Sequence, residues 1–382
     1  MTKIKVGVIG GGQLAWMMAK EAKILGIDLI IQTPKNDDPA VSLADDVLLA
    51  KVDDVEATKK LANLCDVITF ENEFVDLQAL NDLTITKNVK FYPTIKNLMP
   101  LLDKYDQRNY LQKIDLPIPN FISLDLLENN QSPFGFPVVL KTKRHGYDGQ
   151  GTFILKNQTQ FNQFLTKYQP NLMILEEFVP FVKELAIIGA RNIQGEIKLY
   201  PVVETQQIDQ VCRRVIAPAN IDSKIIEKVN EIATKLLTNL DYIGVLGIEL
   251  FLTKTGAILV NEIAPRTHNS GHFTLDACET SQFKMQLQTV TDLPLGDIKL
   301  KEKGALMVNL LGYETSQSDY LHQRKQLAEI EQSFVHWYGK KESRLGRKLG
   351  HVTVLLTEKT VKNISEIIER IEEIWYHKKN LN

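Results

Sequence analysis

Glu249-Leu-Phe-Leu-Thr-Lys-Thr-Gly-Ala-Ile-Leu-Val-Asn261-Glu262-Ile-Ala-Pro-Arg266-Thr-His268-Asn269-Ser270-Gly271-His272 is the stretch on which the reading of this chain turns. Two apolar runs flank Thr253 to Gly256, the pattern of a β-hairpin. Glu249 on the first strand and Asn261 and Glu262 on the second are then expected to face one side. Oxygen ligands so placed suit Mg²⁺, a hard cation usually held by one or two carboxylates together with substrate phosphates. Two acids on a hairpin are commonplace by themselves. The run from Arg266 to His272 raises their meaning, because it leaves a strand end carrying a cation, imidazoles, an amide and a hydroxyl, with nothing that would fill a core.

Around this stretch lie 382 residues, too many for one ordinary core and enough for two or three domains. Hydrophobic residues make up 44% and charged residues 24%, an ordinary globular balance, and the net charge of −2 gives no electrostatic reason to expect nucleic acid or an anionic membrane as partner. Small-molecule substrates are expected instead. Cys65, Cys212 and Cys278 form no Cys-x-x-Cys pair, so neither a zinc site nor a disulfide framework is indicated and the thiols should be reduced. The N-terminus runs straight into a strand without a cleavable apolar segment, and no apolar run reaches membrane-spanning length, so a cytoplasmic location is expected.

Hydrophobic periodicity predicts strands over 4–9, 28–32, 46–49 and 67–70 with a helix over 14–25, a βαβ pattern and hence a parallel sheet. Residues 95–113 look helical, and Leu116-Pro-Ile-Pro119 is a rigid connector. The short strands between Pro137 and Tyr200 are expected to form one antiparallel sheet with helices on one side. Helices are expected over 222–239 and 279–290. A last module from Gly304 should hold strands over 305–310, 333–337 and 351–356 and helices over 317–329 and 363–377. The economical division is an N-terminal α/β domain (1–100), a central domain (101–300, with a lid over about 133–202) and a C-terminal domain (301–382).

Gly10, Gly12 and Ala15 fit the dinucleotide fingerprint G-x-G-x-x-A, which brings a nicotinamide or flavin oxidoreductase into consideration. That fingerprint requires an acid at the end of strand two, and here the strand ends Ile30-Ile31-Gln32-Thr33-Pro34. A single phosphate at the helix N-terminus is the better expectation. A second loop, His145 to Thr152, has glycines at 146, 149 and 151 that let backbone approach an anion, with Lys141 beside it as a fixed charge. Glu176-Glu177-Phe178-Val179 is an apolar strand ending in acids. It could offer backbone hydrogen bonds to an adenine edge while Glu184 takes ribose hydroxyls.

Taken in order, Lys141, the glycine loop, Glu176 to Val179, Glu184, Glu249, Asn261 and Glu262 resemble the nucleotide and metal positions of the ATP-grasp superfamily. The resemblance becomes end-to-end with the 5-(carboxyamino)imidazole ribonucleotide synthase family. It rests on V-I-G-G-G-Q-L at the start, F-E-N-E at 70–73, K-x-x-x-x-G-Y-D-G-Q-G from Lys141 and I-A-P-A at 216–219. It continues through N-E-I-A-P-R-x-H-N-S-G-H from Asn261, then H-W-Y-G-K and R-x-G-R-K-x-G-H-V near the end. It implies an α/β ATP-grasp fold behind an N-terminal parallel-sheet domain, with a small C-terminal domain. It also implies ATP- and bicarbonate-dependent carboxylation of the amine of 5-aminoimidazole ribonucleotide through carboxyphosphate, in purine biosynthesis.

Carried onto this sequence, the resemblance gives ATP to Lys104, Lys141, Gly146, Tyr147, Asp148, Gly149, Gln150, Gly151, Thr152, Glu176, Glu177, Phe178, Val179, Glu184, Gln207, Asn261 and Glu262. Glu249 and Glu262 would hold Mg²⁺, or Mn²⁺ in its place. Gly12, Gln13, Leu14, Glu73, Tyr147, Asp148, Lys340 and Arg347 would bind the ribonucleotide. Arg266, His268, Asn269, Ser270 and His272 would surround the reacting groups. The resemblance further implies a homodimer and allows a transient contact with the next enzyme, a carboxyaminoimidazole ribonucleotide mutase. A sister enzyme, the formate-dependent glycinamide ribonucleotide transformylase, would share the ATP site, but the H-N-S-G-H and H-W-Y-G-K segments argue against it. Two departures stand out: Ala15-Trp16 replaces the usual Gly-Arg, and Gln207 stands where a histidine is expected nearby.

Overall fold

The computed structural model describes residues 3–87, 89–127, 131–144, 146 and 151–376. Strands β1 (Lys5–Ile9), β2 (Asp28–Thr33), β3 (Asp46–Leu49) and β4 (Val67–Phe70) pair in parallel in the order β3-β2-β1-β4. After Lys5 every residue of β1 is buried, as a parallel strand covered on both faces requires. Helix α1 (Gln13–Leu25) ends at Gly26, whose φ of 68° is the left-handed turn that feeds β2. Helices α2 (Val55–Ala62) and α3 (Leu77–Lys87) complete this unit.

The single helix expected over 95–113 is two, α4 (Ile95–Leu98) and α5 (Lys104–Lys113). Pro100 cannot sit inside a helix, and the Asp103 side chain accepts from the Tyr105 and Asp106 amides to start a new one. This break aims α5, with Lys104 at its first turn, at the central part of the molecule.

The expected single sheet over 137–200 is also corrected. Strands β5 (Phe121–Ser123), β6 (Val138–Thr142), β7 (Thr152–Leu155) and β8 (Met173–Glu177) form a small antiparallel sheet in the order β5-β8-β6-β7, with α6 (Gln158–Leu165) burying Phe161 and Phe164 on it. At Phe178-Val179-Pro180 the chain leaves that sheet, and Pro180 has no N–H with which to extend pairing. The following strands, β9 (Phe181–Arg191) and β10 (Ile197–Leu199), belong to a different, nine-stranded sheet.

That large sheet also takes in β11 (Val203–Ile208), β12 (Val211–Ala217), β13 (Gly244–Thr253), β14 (Ile258–Ala264), β15 (Gly304–Leu311), β16 (Ser333–Trp337) and β17 (Lys348–Leu356). Its order is β14-β13-β9-β11-β12-β15-β17-β16, with β10 beside β9. Pairing of β12 with β15 carries it across residue 300 without interruption. Helix α7 (Ser223–Asn239), capped by the Asp222 side chain, packs Val229, Ile232, Ala233, Leu236 and Leu237 into the core beneath β13 and β14. Helices α8 (Thr274–Ala277) and α9 (Gln282–Val290) follow, and α9 packs Phe283, Leu287 and Val290 against Met17 and Met18 of α1. Helix α10 (Leu321–Ala328) and the closing helix α11 (Ile364–Tyr376) cover the C-terminal strands, and Trp375 Nε1 donates to Leu311 O (2.9 Å). Among the described residues no helix is long and apolar enough to cross a membrane.

Candidate active site

The hairpin of β13 and β14 turns at Gly256, with Glu249 directly opposite Glu262. Leu250 faces Val260, so Asn261 is the extra residue of a β-bulge. In a regular strand Asn261 and Glu262 would point to opposite faces; the bulge brings both side chains to one side. Asn261 Nδ2 donates to Glu249 Oε2 (3.3 Å), its Oδ1 accepts from Lys141 Nζ (2.9 Å), and Glu262 Oε1 lies 2.5 Å from Lys104 Nζ. Glu249 also pairs with Ala186 of β9, which sets Glu184, two residues along that strand, on the same face.

Three carboxyls thus share one surface. Withdrawal from water pushes the Glu249 carboxyl up to about 7, with Glu262 adding repulsion, and Glu184 is likewise pushed up to about 7 by its own burial and by Glu249. Burial also raises Glu262, but Lys104, Lys141 and His268 together outweigh it and leave its carboxyl below the ordinary value. Glu184 Oε2 is buried without a hydrogen-bond partner. Oxygen donors gathered on one surface, one of them without a hydrogen-bond partner, fit a divalent cation, which would relieve the repulsion among them.

Behind this surface stands a buried ion cluster. Glu176 accepts from Arg108 Nε (2.7 Å) at one oxygen and lies 2.8 Å from Lys141 Nζ at the other. Its burial would raise the carboxyl, but Arg108 and Lys141 bring it down to about 2. The Glu176 side chain therefore faces inward, toward Lys141, and the Glu177 amide is taken by Asn120 O (2.9 Å). Val179 is buried and Phe178 partly so. Arg108 escaped the sequence reading although a signal was present: Lys104 and Arg108 are four apart, on one face of α5.

A second centre forms where the first loop meets the C-terminal segment. Lys340 Nζ donates to Gln13 Oε1 (2.6 Å) and to Lys348 O (2.7 Å), joining positions 327 residues apart. The Glu71 carboxylate occupies the glycine loop: it accepts from the Leu14 amide (3.4 Å), and a Cβ on Gly12 would lie 2.4 Å from its oxygen. Burial raises the Glu71 carboxyl against the pull of Arg266. Gln32 is buried and spent on Lys51 O, Asp54 O and Thr58, so no dinucleotide ribose site exists there. Arg347 donates to Glu342 O (2.6 Å), with Asp37 and Asp38 near it. Leu14 itself packs in the core.

The loop after β14 bridges the two centres. Arg266 pairs with Glu73 (2.9 Å), and His268 Nε2 lies 3.4 Å from Glu249 while its Nδ1 meets Ser270 Oγ (2.9 Å). A Cβ on Gly247 would sit 2.5 Å from His268 Cβ, so glycine there lets the loop lie on the strand. Asn269 exchanges amide hydrogen bonds with Asn309 of β15 (2.9 and 2.7 Å), a partner that sequence spacing could not reveal. His272 differs from its neighbours: it is fully buried between Phe283 and His351, bonded to Gln282, and burial pushes it well below the usual imidazole range. It supports the loop from behind. Asp276, His336 and His351 have ligand-type atoms within 4.8 Å; Asp276 already accepts from His336 (2.8 Å) and Tyr338 OH engages His351 Nδ1 (2.8 Å), a strut between α8 and the β16–β17 pair in which His351 Nε2 is left buried without a hydrogen-bond partner.

Of the glycine loop, Tyr147, Asp148, Gly149 and Gln150 lie outside the described residues. Gly146 is described, Gly151 (φ 84°) approaches Thr142 too closely for any side chain, and Thr152 pairs with Lys141. At the two departures, Ala15 is in the core and Trp16 packs edge-on against Tyr338 with Lys20 Nζ 3.5 Å above its ring, while Gln207, beside a bulge in β11, lies near Glu184 and offsets part of the rise in its carboxyl.

Three family models match the chain: the ribonucleotide synthetase preATP-grasp domain over residues 1–99, the ATP-grasp domain over 109–283 and the phosphoribosylaminoimidazole carboxylase C-terminal domain over 305–364. The chain is 52% identical over 383 residues to the N5-carboxyaminoimidazole ribonucleotide synthase of Synechocystis sp., covering 97% of this chain and 98% of that one. The crystal structure of N5-carboxyaminoimidazole ribonucleotide synthetase from Thermotoga maritima superposes with a TM-score of 0.86 at 40% identity, covering 97% and 98%. The enzyme from Aspergillus clavatus, in complex with ADP and 5-aminoimidazole ribonucleotide, does so with a TM-score of 0.88 at 31% identity, covering 97% and 99%.

Proposed function

Because the chain belongs to the N5-carboxyaminoimidazole ribonucleotide synthase family of ATP-grasp ligases, we propose that its two centres divide the reaction into phosphoryl transfer and carboxyl capture. The enzyme is an ATP-dependent carbon–nitrogen ligase of purine biosynthesis. A bicarbonate oxygen attacks the γ-phosphorus and ADP leaves, giving carboxyphosphate. This breaks down to CO₂ and phosphate, and the exocyclic amine of the ribonucleotide attacks the carbon, forming the C–N bond and releasing a proton.

The observation that carries this reading is the carboxylate pair Glu249 and Glu262 flanked by the Lys104 and Lys141 ammonium groups. Phosphoryl transfer asks for positioning and charge neutralisation, and both lysines meet the phosphates directly. Mg²⁺, or Mn²⁺ in its place, held by Glu249 and Glu262 would supply further neutralisation of the phosphate charge. Asn261 keeps Lys141 and Glu249 apart and aligned. Glu184 with Gln207 takes the ribose hydroxyls of ATP, and the backbone of Glu176 to Val179 faces the adenine edge.

Gln13, Lys340 and Arg347 hold the ribonucleotide phosphate, Arg347 through its fork of donors. Glu73 fixes Arg266, and Arg266, His268, Asn269 and Ser270 line the region between the two substrates. Their place between the centres suits the transfer of a carboxyl group that water would otherwise destroy. A homodimer and a transient contact with a carboxyaminoimidazole ribonucleotide mutase complete the proposal. The test is ADP release with 5-aminoimidazole ribonucleotide, with and without bicarbonate, against glycinamide ribonucleotide plus formate. Turnover that needs the first pair supports the reading, and turnover with the second pair alone would end it.

A further inference from the structure

Lys141 does not stand alone beside the phosphates. Its ammonium has three donors, of which one meets Glu176 (2.8 Å) and one meets Asn261 Oδ1 (2.9 Å), leaving a third for an anion. Glu176 could absorb the whole Lys141 charge, since both are buried and a buried carboxylate demands compensation. Arg108 prevents that by meeting the other Glu176 oxygen (2.7 Å). The cluster then holds two cations against one carboxylate, and the surplus charge lies on the Lys141 side. The same guanidinium donates to Val260 O (3.3 Å) and Asn261 O (2.6 Å), the backbone carbonyls of the bulge that turns Asn261 toward Lys141.

We propose that Arg108, from α5, is the positioning residue that makes Lys141 available to ATP. It shares the charge of Glu176, and it holds the β14 bulge open from behind. Arg108 is nearly inaccessible to water, so it acts through Lys141 and Asn261 and never touches substrate. The inference rests on the assignment of Lys141 to the ATP phosphates. A lysine could keep the charge at this position but not the fork that reaches the carboxylate and two carbonyls together.

The experiment compares Arg108→Met, Arg108→Lys, the double variant Arg108→Met/Glu176→Gln, and Lys141→Ala by steady-state kinetics with each substrate varied in turn. Arg108→Met should raise the KM for ATP by about tenfold or more, with the KM for the ribonucleotide little changed. Arg108→Lys should fall between that variant and the wild type. The double variant removes both buried charges together, so it is the version best suited to fold, and it should recover part of the lost ATP affinity. If Lys141→Ala raises the KM for ATP while Arg108→Met leaves it within about twofold of wild type, the inference fails and the assignment of Lys141 stands. A folded double variant that binds ATP worse than Arg108→Lys and raises both KM values equally would reduce Arg108 to a scaffold residue. If Lys141→Ala itself leaves ATP unaffected, the assignment of Lys141 fails, and this inference with it.

Discussion

The carboxylate centre and the ribonucleotide centre are built in opposite ways. Glu249, Asn261 and Glu262 come from one hairpin, so a turn and a bulge suffice to gather them. Gln13 and Lys340 meet across 327 residues, and only the docking of the C-terminal strands against α1 and its neighbours brings them together. A local site can be destroyed chemically without disturbing the fold. An assembled site depends on how well the units that carry it are packed, so damage to it should appear as weakened binding.

Glu262→Gln is expected to be the most severe test on the local side. Turnover should fall by about a hundredfold or more, with the thermal midpoint little changed, because a phosphate-neutralising ligand is lost from the transition state. Near-normal turnover in a folded variant would remove the hairpin from the chemistry.

Next in size come Arg347→Ala and Lys340→Ala, each expected to raise the KM for the ribonucleotide by about tenfold while sparing ATP. Lys141→Ala should do the reverse. A common shift in the same substrate for all three would erase the distinction between the centres.

A smaller effect is expected from pH. The Glu249 carboxyl is pushed up to about 7, above the ordinary 4.5, so a divalent cation must displace a proton from it at low pH. Cation affinity should therefore climb as pH rises through about 7 and level off above it. For the metal-free fold the sign is opposite: the raised pKa values of Glu249 and Glu184 favour folding at low pH, and that contribution is lost as pH rises from 4.5 to about 7. Calorimetric titration with Mg²⁺ across this range, in buffers of different protonation enthalpy, reads both affinity and proton release. A pH-independent affinity with no proton release would mean that Glu249 is not a ligand.

The smallest expected effects lie at the two ends of α1. Gly26 has φ 68° and open space around it, so Gly26→Ala should cost about 1 kcal/mol of stability and leave kinetics unchanged. Gly12→Ala would drive a methyl group into the Glu71 carboxylate, 2.4 Å away, and should weaken ribonucleotide binding severalfold at little cost in stability. Urea unfolding and kinetics on the same two variants make the comparison. Matching losses at both ends would show that Glu71 and its loop do not shape the second centre.

The sequence by itself determined the parallel N-terminal sheet, the hairpin with its acids, and the family, because these rest on local periodicity and on motifs read within a few tens of residues. The missing acid at the end of β2 weakened the dinucleotide reading, and the structure closes it, since Gln32 is buried and donates to the Lys51 and Asp54 carbonyls. Tertiary structure alone decided that the strands after Pro180 belong to another sheet, since strand runs do not encode their partners. It alone placed Arg108 behind Lys141, Asn309 beside Asn269, and Glu71 inside the glycine loop. It also separated His272, sealed in the core, from His268, which lies beside Glu249, although both stand in one seven-residue loop. Side chains of the same kind in the same segment carry the same sequence signal. What distinguishes them is burial and the charge of distant neighbours, and those exist only once the chain has packed.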